Sequence, residues 1–194
     1  MTGAVQSALW KVLRRKVLFA DSPHIELSAE DVELPDGRVV ESYYQIGSRP
    51  SCAVVGTTQA GELIMVRQYK HGARKVCLTF PGGRLEEGET LMDTAKRELR
   101  EETGYEGDHW RSLGRFPIHA NQRVGECELF RCENARQVVA AKPGDLEDME
   151  VVLVSEANAR VALASGEIGL LGDAAALGLA LSENPNARLW RRTG

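Results

Sequence analysis

Between Gly83 and Tyr105 the chain reads GRLEEGETLMDTAKRELREETGY, with seven acidic side chains (Glu86, Glu87, Glu89, Asp93, Glu98, Glu101, Glu102) set between two glycine turns. Glu98, Glu101 and Glu102 are spaced i, i+3, i+4, so on an α-helix all three carboxylates share one face. Like charges at i, i+4 destabilise an isolated helix by roughly 0.2–0.5 kcal/mol, and Glu98 with Glu102 is such a pair. Arg97 and Arg100 offset part of that repulsion; a divalent cation offsets far more. Converging carboxylate oxygens suit a hard, oxygen-preferring ion such as Mg²⁺ or Mn²⁺. Nothing nearby supplies the Cys or His ligands that a zinc site prefers.

The elements that must hold these groups are legible around them. Thr90 is a good N-cap, Asp93 sits at the third helical position, and Gly104 follows the last periodic residue as a stop. Leu91, Ala95 and Leu99 recur at i, i+4, i+8 and give the helix an apolar stripe for anchorage. Upstream, SCAVVGTT (51–58) and ELIMVRQYK (62–70) predict a hairpin closed around Gln59-Ala60-Gly61, apolar enough at its centre to be covered on both faces. VCLTF then leads directly into Pro81-Gly82-Gly83. After the acidic helix, WRSLGRFPI, GECELFRCE and DMEVVLVS read as strands. Residues 157–164 and 173–181 read as helices. Helices on both faces of a mixed sheet predict an α/β/α sandwich.

Before Pro50 the pattern differs. A short amphipathic opening helix carrying Trp10 is expected, followed from Lys16 by strands that form a small antiparallel layer. Pro35-Asp36-Gly37 is a turn between two of them. The predicted division is 1–49 for this layer, 50–182 for the main domain and 183–194 for a tail.

Whole-chain properties narrow the partners. With 194 residues and 43% hydrophobic content the chain can bury a substantial core. A formal net charge of -4 gives no electrostatic reason to expect a nucleic acid. No apolar run reaches the length of a membrane span. Cys52, Cys77, Cys127 and Cys132 form no CxxC pair, which fits reduced thiols and a cytoplasmic location.

The acidic stretch resembles the Nudix box. Gly83, Glu89, Arg97-Glu98-Leu99, Glu101-Glu102 and Gly104 fall at that motif's spacing, with Tyr105 where an aliphatic residue is usual. LPDGRVVE (34–41), VRQYKHGARKVCLTFPGG (66–83) and EDMEVVLV (147–154) are similar to the ADP-ribose pyrophosphatase and nucleoside diphosphate sugar hydrolase branch. The resemblance covers roughly residues 17–181.

That resemblance implies a Nudix-type sandwich preceded by a dimerising β layer. It also implies metal-dependent cleavage of the diphosphate in a small nucleoside diphosphate derivative. Glu98 and Glu102 match the main metal ligands, with Glu101 sharing a second ion and the Gly82 carbonyl as a further ligand. Arg97 matches the residue that orients the carboxylates. Arg67 matches a phosphate contact, and Tyr43, His119 and Arg123 are candidate substrate contacts. Glu147, on a late loop, and Glu101 are alternative general bases.

Two departures bear on the substrate. Residues 118–122 read IHANQ where the branch carries a Ser-Pro-Gly element, and Thr79 stands where it has Glu. ADP-ribose or a nucleotide sugar is the leading expectation. The alternatives are a triphosphate or dinucleotide house-cleaning hydrolase and a non-catalytic nucleotide sensor.

Overall fold

The structure is a computed structural model and describes residues 9–142 and 148–182. The chain divides into two compact units. One runs to Arg49 and includes Pro117–Glu126; the other holds Pro50–Phe116 and the chain from Cys127.

In the first unit, β1 (Lys11–Asp21), β2 (Ile25–Glu33) and β3 (Val39–Gly47) form an antiparallel meander. The expected turn between β2 and β3 is closed by Gly37 N–H donating to the Leu34 carbonyl at 2.9 Å, with Gly37 at φ +83°. The start of the expected opening helix lies outside the described residues, and from Lys11 onward the chain is strand. Val12, Leu13, Val17, Leu18 and Phe19 favour the pleat, and β2 offers a full ladder of partners. Across that ladder Arg14 pairs with Asp31 at 2.8 Å and Arg15 pairs with Glu26. Tertiary pairing outweighed the weak helical pattern here.

The second unit is a mixed sheet covered by helices. Its elements are β4 (Ser51–Thr58), β5 (Leu63–Lys70), β6 (Lys75–Thr79), α1 (Leu91–Glu98), β7 (Tyr105–His119), β8 (Arg123–Gln137), β9 (Met149–Val154), α2 (Glu156–Ser165) and α3 (Leu171–Ser182). The Pro117–Glu126 portions of β7 and β8 group with the first unit. β4 runs parallel to β8 and antiparallel to β5; β5 also pairs antiparallel with β6 and β9.

Alternation along the strands builds two cores. Val55, Leu63, Met65 and Leu129 point to the face covered by α2 and α3, where Ala159, Ala162, Ala176 and Leu177 meet them. Val54, Ile64 and Phe130 point the other way, onto Leu91, Ala95 and Leu99. The predicted apolar stripe thus anchors α1, and the α/β/α layering is as expected. Among the described residues no helix is long and apolar enough to cross a membrane.

Candidate active site

The acidic helix is fixed at its start by a capping box. Thr90 Oγ1 accepts from Asp93 N–H at 3.2 Å, and Asp93 Oδ2 accepts from Thr90 N–H at 3.1 Å. Its other end departs from the sequence expectation. After Glu98 the backbone widens into a π-helical turn over Leu99–Thr103, which Gly104 ends at φ +78°. The one-face reading of Glu98, Glu101 and Glu102 assumed continuous α-helix. Around this turn Glu98 and Glu101 both accept from Arg97, and Glu102 Oε2 accepts from Gly82 N–H at 3.0 Å. Such single π turns recur at functional sites.

Arg97 is the hub. Its Nε donates to Glu89 Oε1 at 2.8 Å, and its Nη1 donates to Glu98 Oε1 at 2.9 Å and Glu101 Oε2 at 3.1 Å. Nη2 reaches Glu89 Oε2 at 3.3 Å and the Arg84 carbonyl at 3.4 Å, with Glu86 3.7 Å away. The fork geometry of guanidinium suits this multiple role; a Lys ammonium does not. Glu89 in turn accepts from Thr94 Oγ1 at 2.8 Å, tying the loop to the helix. The Arg97 bond, with help from Thr94, holds the Glu89 carboxyl down at about 2.

Glu98 has the opposite electrostatics. Burial pushes its carboxyl above the usual range against the pull of Arg97, and Glu101 and Glu86 add repulsion. It lies against Gly83, where an added Cβ would fall 1.9 Å from Glu98 Oε1. Only glycine leaves room for the carboxylate there. Beside it, Cys52 is buried, and that burial raises its thiol to about 12, so it is an inert wall.

The other candidates are placed elsewhere. Arg67 follows Leu63 and Met65 on the face of β5 that α2 and α3 cover, opposite α1. There it lies between Glu150 (3.5 Å) and Glu167 (4.0 Å), so it is not gathered with the carboxylates. Tyr43, His119 and Arg123 belong to the first unit. Tyr43 meets Trp10 edge-on at 5.5 Å. His119 Nδ1 accepts from the Asn121 and Gln122 N–H groups at 3.3 and 3.2 Å, and Arg123 pairs with Glu126 at 3.1 Å. Glu147 lies outside the described residues.

Comparison with known proteins decides the family. A profile described as NUDIX domain matches residues 47–170. The chain belongs to the Nudix family.

A second profile, described as the nucleoside diphosphate sugar hydrolase N-terminal domain, matches residues 10–46 of this Nudix chain. It is 40% identical over 96 residues to an ADP-ribose pyrophosphatase of Bacillus subtilis (strain 168), covering 49% of this chain and 50% of that one. It is 42% identical over 83 residues to a methanol dehydrogenase activator of Bacillus methanolicus, covering 42% and 44%. A shorter match, 46% over 46 residues, is to an ADP-sugar pyrophosphatase of Mus musculus, covering 24% and 21%. The chain spans about half the length, or less, of these curated relatives. The crystal structure of an ADP compounds hydrolase superposes with a TM-score of 0.75 at 20% identity over 89% of this chain and 92% of that one, which shows the shared fold.

The donor set of this Nudix site is all oxygen. Among the described residues no three Asp, Glu, His or Cys side chains are gathered into a ready-made ion cage. The chemistry nonetheless fits. All candidate donors are oxygens, one guanidinium faces four carboxylates, and the half-buried Glu98 carries repulsion that a cation relieves.

One residue escaped the sequence reading. Asp173, in the first turn of α3, accepts from Phe80 N–H at 2.9 Å and is 6% exposed. The signal was available: Asp173 is the single charged side chain from Ile168 to Ser182, in an Ala- and Leu-rich run. A charge inside an apolar run asks for a partner.

Proposed function

We propose that this Nudix chain is a divalent-metal-dependent pyrophosphohydrolase acting on a nucleoside diphosphate joined to another moiety, with ADP-ribose or a nucleotide sugar favoured. The observation that carries it is the Arg97-centred carboxylate cluster beside Gly82 and Gly83, at Nudix-box spacing. The names of the relatives, ADP-ribose and ADP-sugar pyrophosphatase, support the substrate class.

Glu98, Glu102, Glu101 and the Gly82 carbonyl would hold the cation, Mg²⁺ with Mn²⁺ as a substitute. When bound, it supplies positive charge and Lewis acidity at the diphosphate. The residues of the chain do the rest. Arg97 keeps Glu98 and Glu101 in one orientation, so little reorganisation is needed during the reaction. Glu89 restrains Arg97 through its Nε bond. Glu101, with its side chain 54% exposed, is open enough to accept a proton from water. Glu147 is the alternative base. The protein is read as cytoplasmic and as a homodimer through its N-terminal layer, with neither nucleic acid nor membrane as partner.

The test is a phosphate-release screen with Mg²⁺ over ADP-ribose, nucleotide sugars, dinucleotides and triphosphates, run on the wild type and on Glu102→Gln. The wild type should hydrolyse a nucleoside diphosphate conjugate best. Glu102→Gln should fold normally and lose more than about 100-fold in turnover, beyond the 10–100-fold typical of losing an outer partner. Retained turnover in the variant would sink the ligand assignment, and a preference for triphosphates would move the substrate class.

A further inference from the structure

The turn from Phe80 to Gly83 is held at four points. Val54 N–H donates to the Pro81 carbonyl at 2.8 Å, and Cys52 N–H donates to the Gly83 carbonyl at 2.9 Å. Gly82 N–H donates to Glu102 Oε2 at 3.0 Å. Those three come from β4 and from the acidic segment itself. The fourth comes from α3, far along the chain: Phe80 N–H donates to Asp173 Oδ1 at 2.9 Å.

An acid at that place is costly. Burial pushes the Asp173 carboxyl up to about 6, against the Phe80 N–H bond and the Lys70 charge, which lower it. The rest of α3 packs through Ala176, Leu177 and Ala180, so helix docking does not need it. What it supplies is an acceptor for a buried backbone N–H that would otherwise be orphaned. Its place in the first turn of α3 sets it near the positive end of that helix's dipole, which favours a carboxylate there.

We propose that Asp173 is a positioning residue for the hydrolysis. It clamps Phe80 and thereby sets the Gly82 carbonyl and the Gly82–Glu102 contact two residues further on. The inference rests on the reading of Gly82 and Glu102 as cation ligands. Asp173 itself touches neither the cation nor the substrate.

Mn²⁺ titration followed by electron paramagnetic resonance, alongside steady-state kinetics, tests it in the full chain. Asp173→Ala should weaken Mn²⁺ binding about tenfold and lower kcat to match, with KM for the nucleotide within about twofold, the scale expected for an outer partner of a metal site. Asp173→Asn keeps an acceptor oxygen and should recover most of that loss. Leu177→Ala, fully buried one turn further along α3, should cost stability without moving Mn²⁺ affinity. Wild-type Mn²⁺ affinity and kcat in Asp173→Ala would overturn the proposal, as would an equal Mn²⁺ loss in Leu177→Ala. Should Asp173→Ala fail to fold, Asp173→Ser, whose hydroxyl falls short of Phe80, decides by the same criteria. A wild type that turns over no nucleoside diphosphate would sink the proposed function, while the Mn²⁺ comparison would still judge Asp173.

Discussion

β1 and β5 are written in much the same alphabet and meet opposite fates. KVLRRKVLFAD is exposed at every residue of β1, whereas LIMVRQYK is buried from Leu63 to Val66 and again at Gln68. The difference lies in neighbours. β5 is paired with β4, β6 and β9 and has α1 over one face and α2 with α3 over the other. Among the described residues β1 pairs with β2 alone, and Val12, Leu13, Val17, Leu18 and Phe19 are between 45% and 56% exposed. Apolar content therefore states a demand for burial; the fold decides whether the chain meets it alone. In β5 it does, and that rigid sheet carries the carboxylate site. In β1 the demand is left open among the described residues.

The comparison is broken most severely at Met65, which is fully buried on β5. Met65→Ala should destabilise the chain by about 2–5 kcal/mol, from lost transfer energy and the cavity left behind. Urea unfolding reads this directly. A loss below about 1 kcal/mol would mean that the sheet relaxes around the gap, and β5 would not be the rigid partner described.

Next in size is a pH effect confined to the second unit. Asp173 is raised from 3.8 to about 6 in the folded state, chiefly by burial. Between those values the folded chain binds more protons than the unfolded one, so this group's contribution to stability falls as pH rises. Its stabilisation is complete below pH 4 and is lost as pH passes 6. Two pKa units correspond to about 3 kcal/mol. The stability of Asp173→Asn relative to wild type should therefore improve by up to about that amount between pH 4 and pH 7. Glu89, held down by Arg97, acts in the opposite sense at lower pH, which is why the difference between the two proteins is the quantity to measure. A difference that stays flat across the window would show that Asp173 is ionised as easily in the fold as out of it.

What was legible in the sequence was local. Thr90, Asp93 and Gly104 announced the helix and its ends because caps act within four residues. The Gln59–Gly61 hairpin announced itself for the same reason. The stretch of acids pointed to the chemistry, and the family resemblance proposed the roles. What stayed hidden depends on contacts between distant parts of the chain. The π turn is held from outside, with Lys142 N–H on the Glu101 carbonyl and Val138 N–H on that of Gly104. No periodicity in RELREET foretells it. Arg67, matched to a phosphate contact by resemblance, is set by alternation in β5 on the face that α2 and α3 cover. Asp173 is separated from Phe80 by most of the domain. The N-terminal strand was partly misread because a pairing with β2, absent from any local pattern, settles its conformation.

The smallest effect on folding, and the sharpest on the comparison, is expected at Phe19. Its ring is 56% exposed on β1, so Phe19→Ser removes few contacts within the chain. At low protein concentration its unfolding free energy should stay within about 0.5 kcal/mol of wild type, the range usual for surface changes. Self-association behaves differently. If a second copy covers the β1 layer, apolar area at Phe19 is buried only in the dimer, and a hydroxyl there adds a desolvation cost. Sedimentation should then show a wild-type dimer and a variant shifted toward monomer, with the wild-type Tm rising with concentration and the variant Tm losing that dependence. A variant that is clearly destabilised as a monomer would mean that β1 meets its demand for burial within the chain. The contrast with β5 would then be one of degree. A wild type that sediments as a monomer at all concentrations would remove the second copy as the cover.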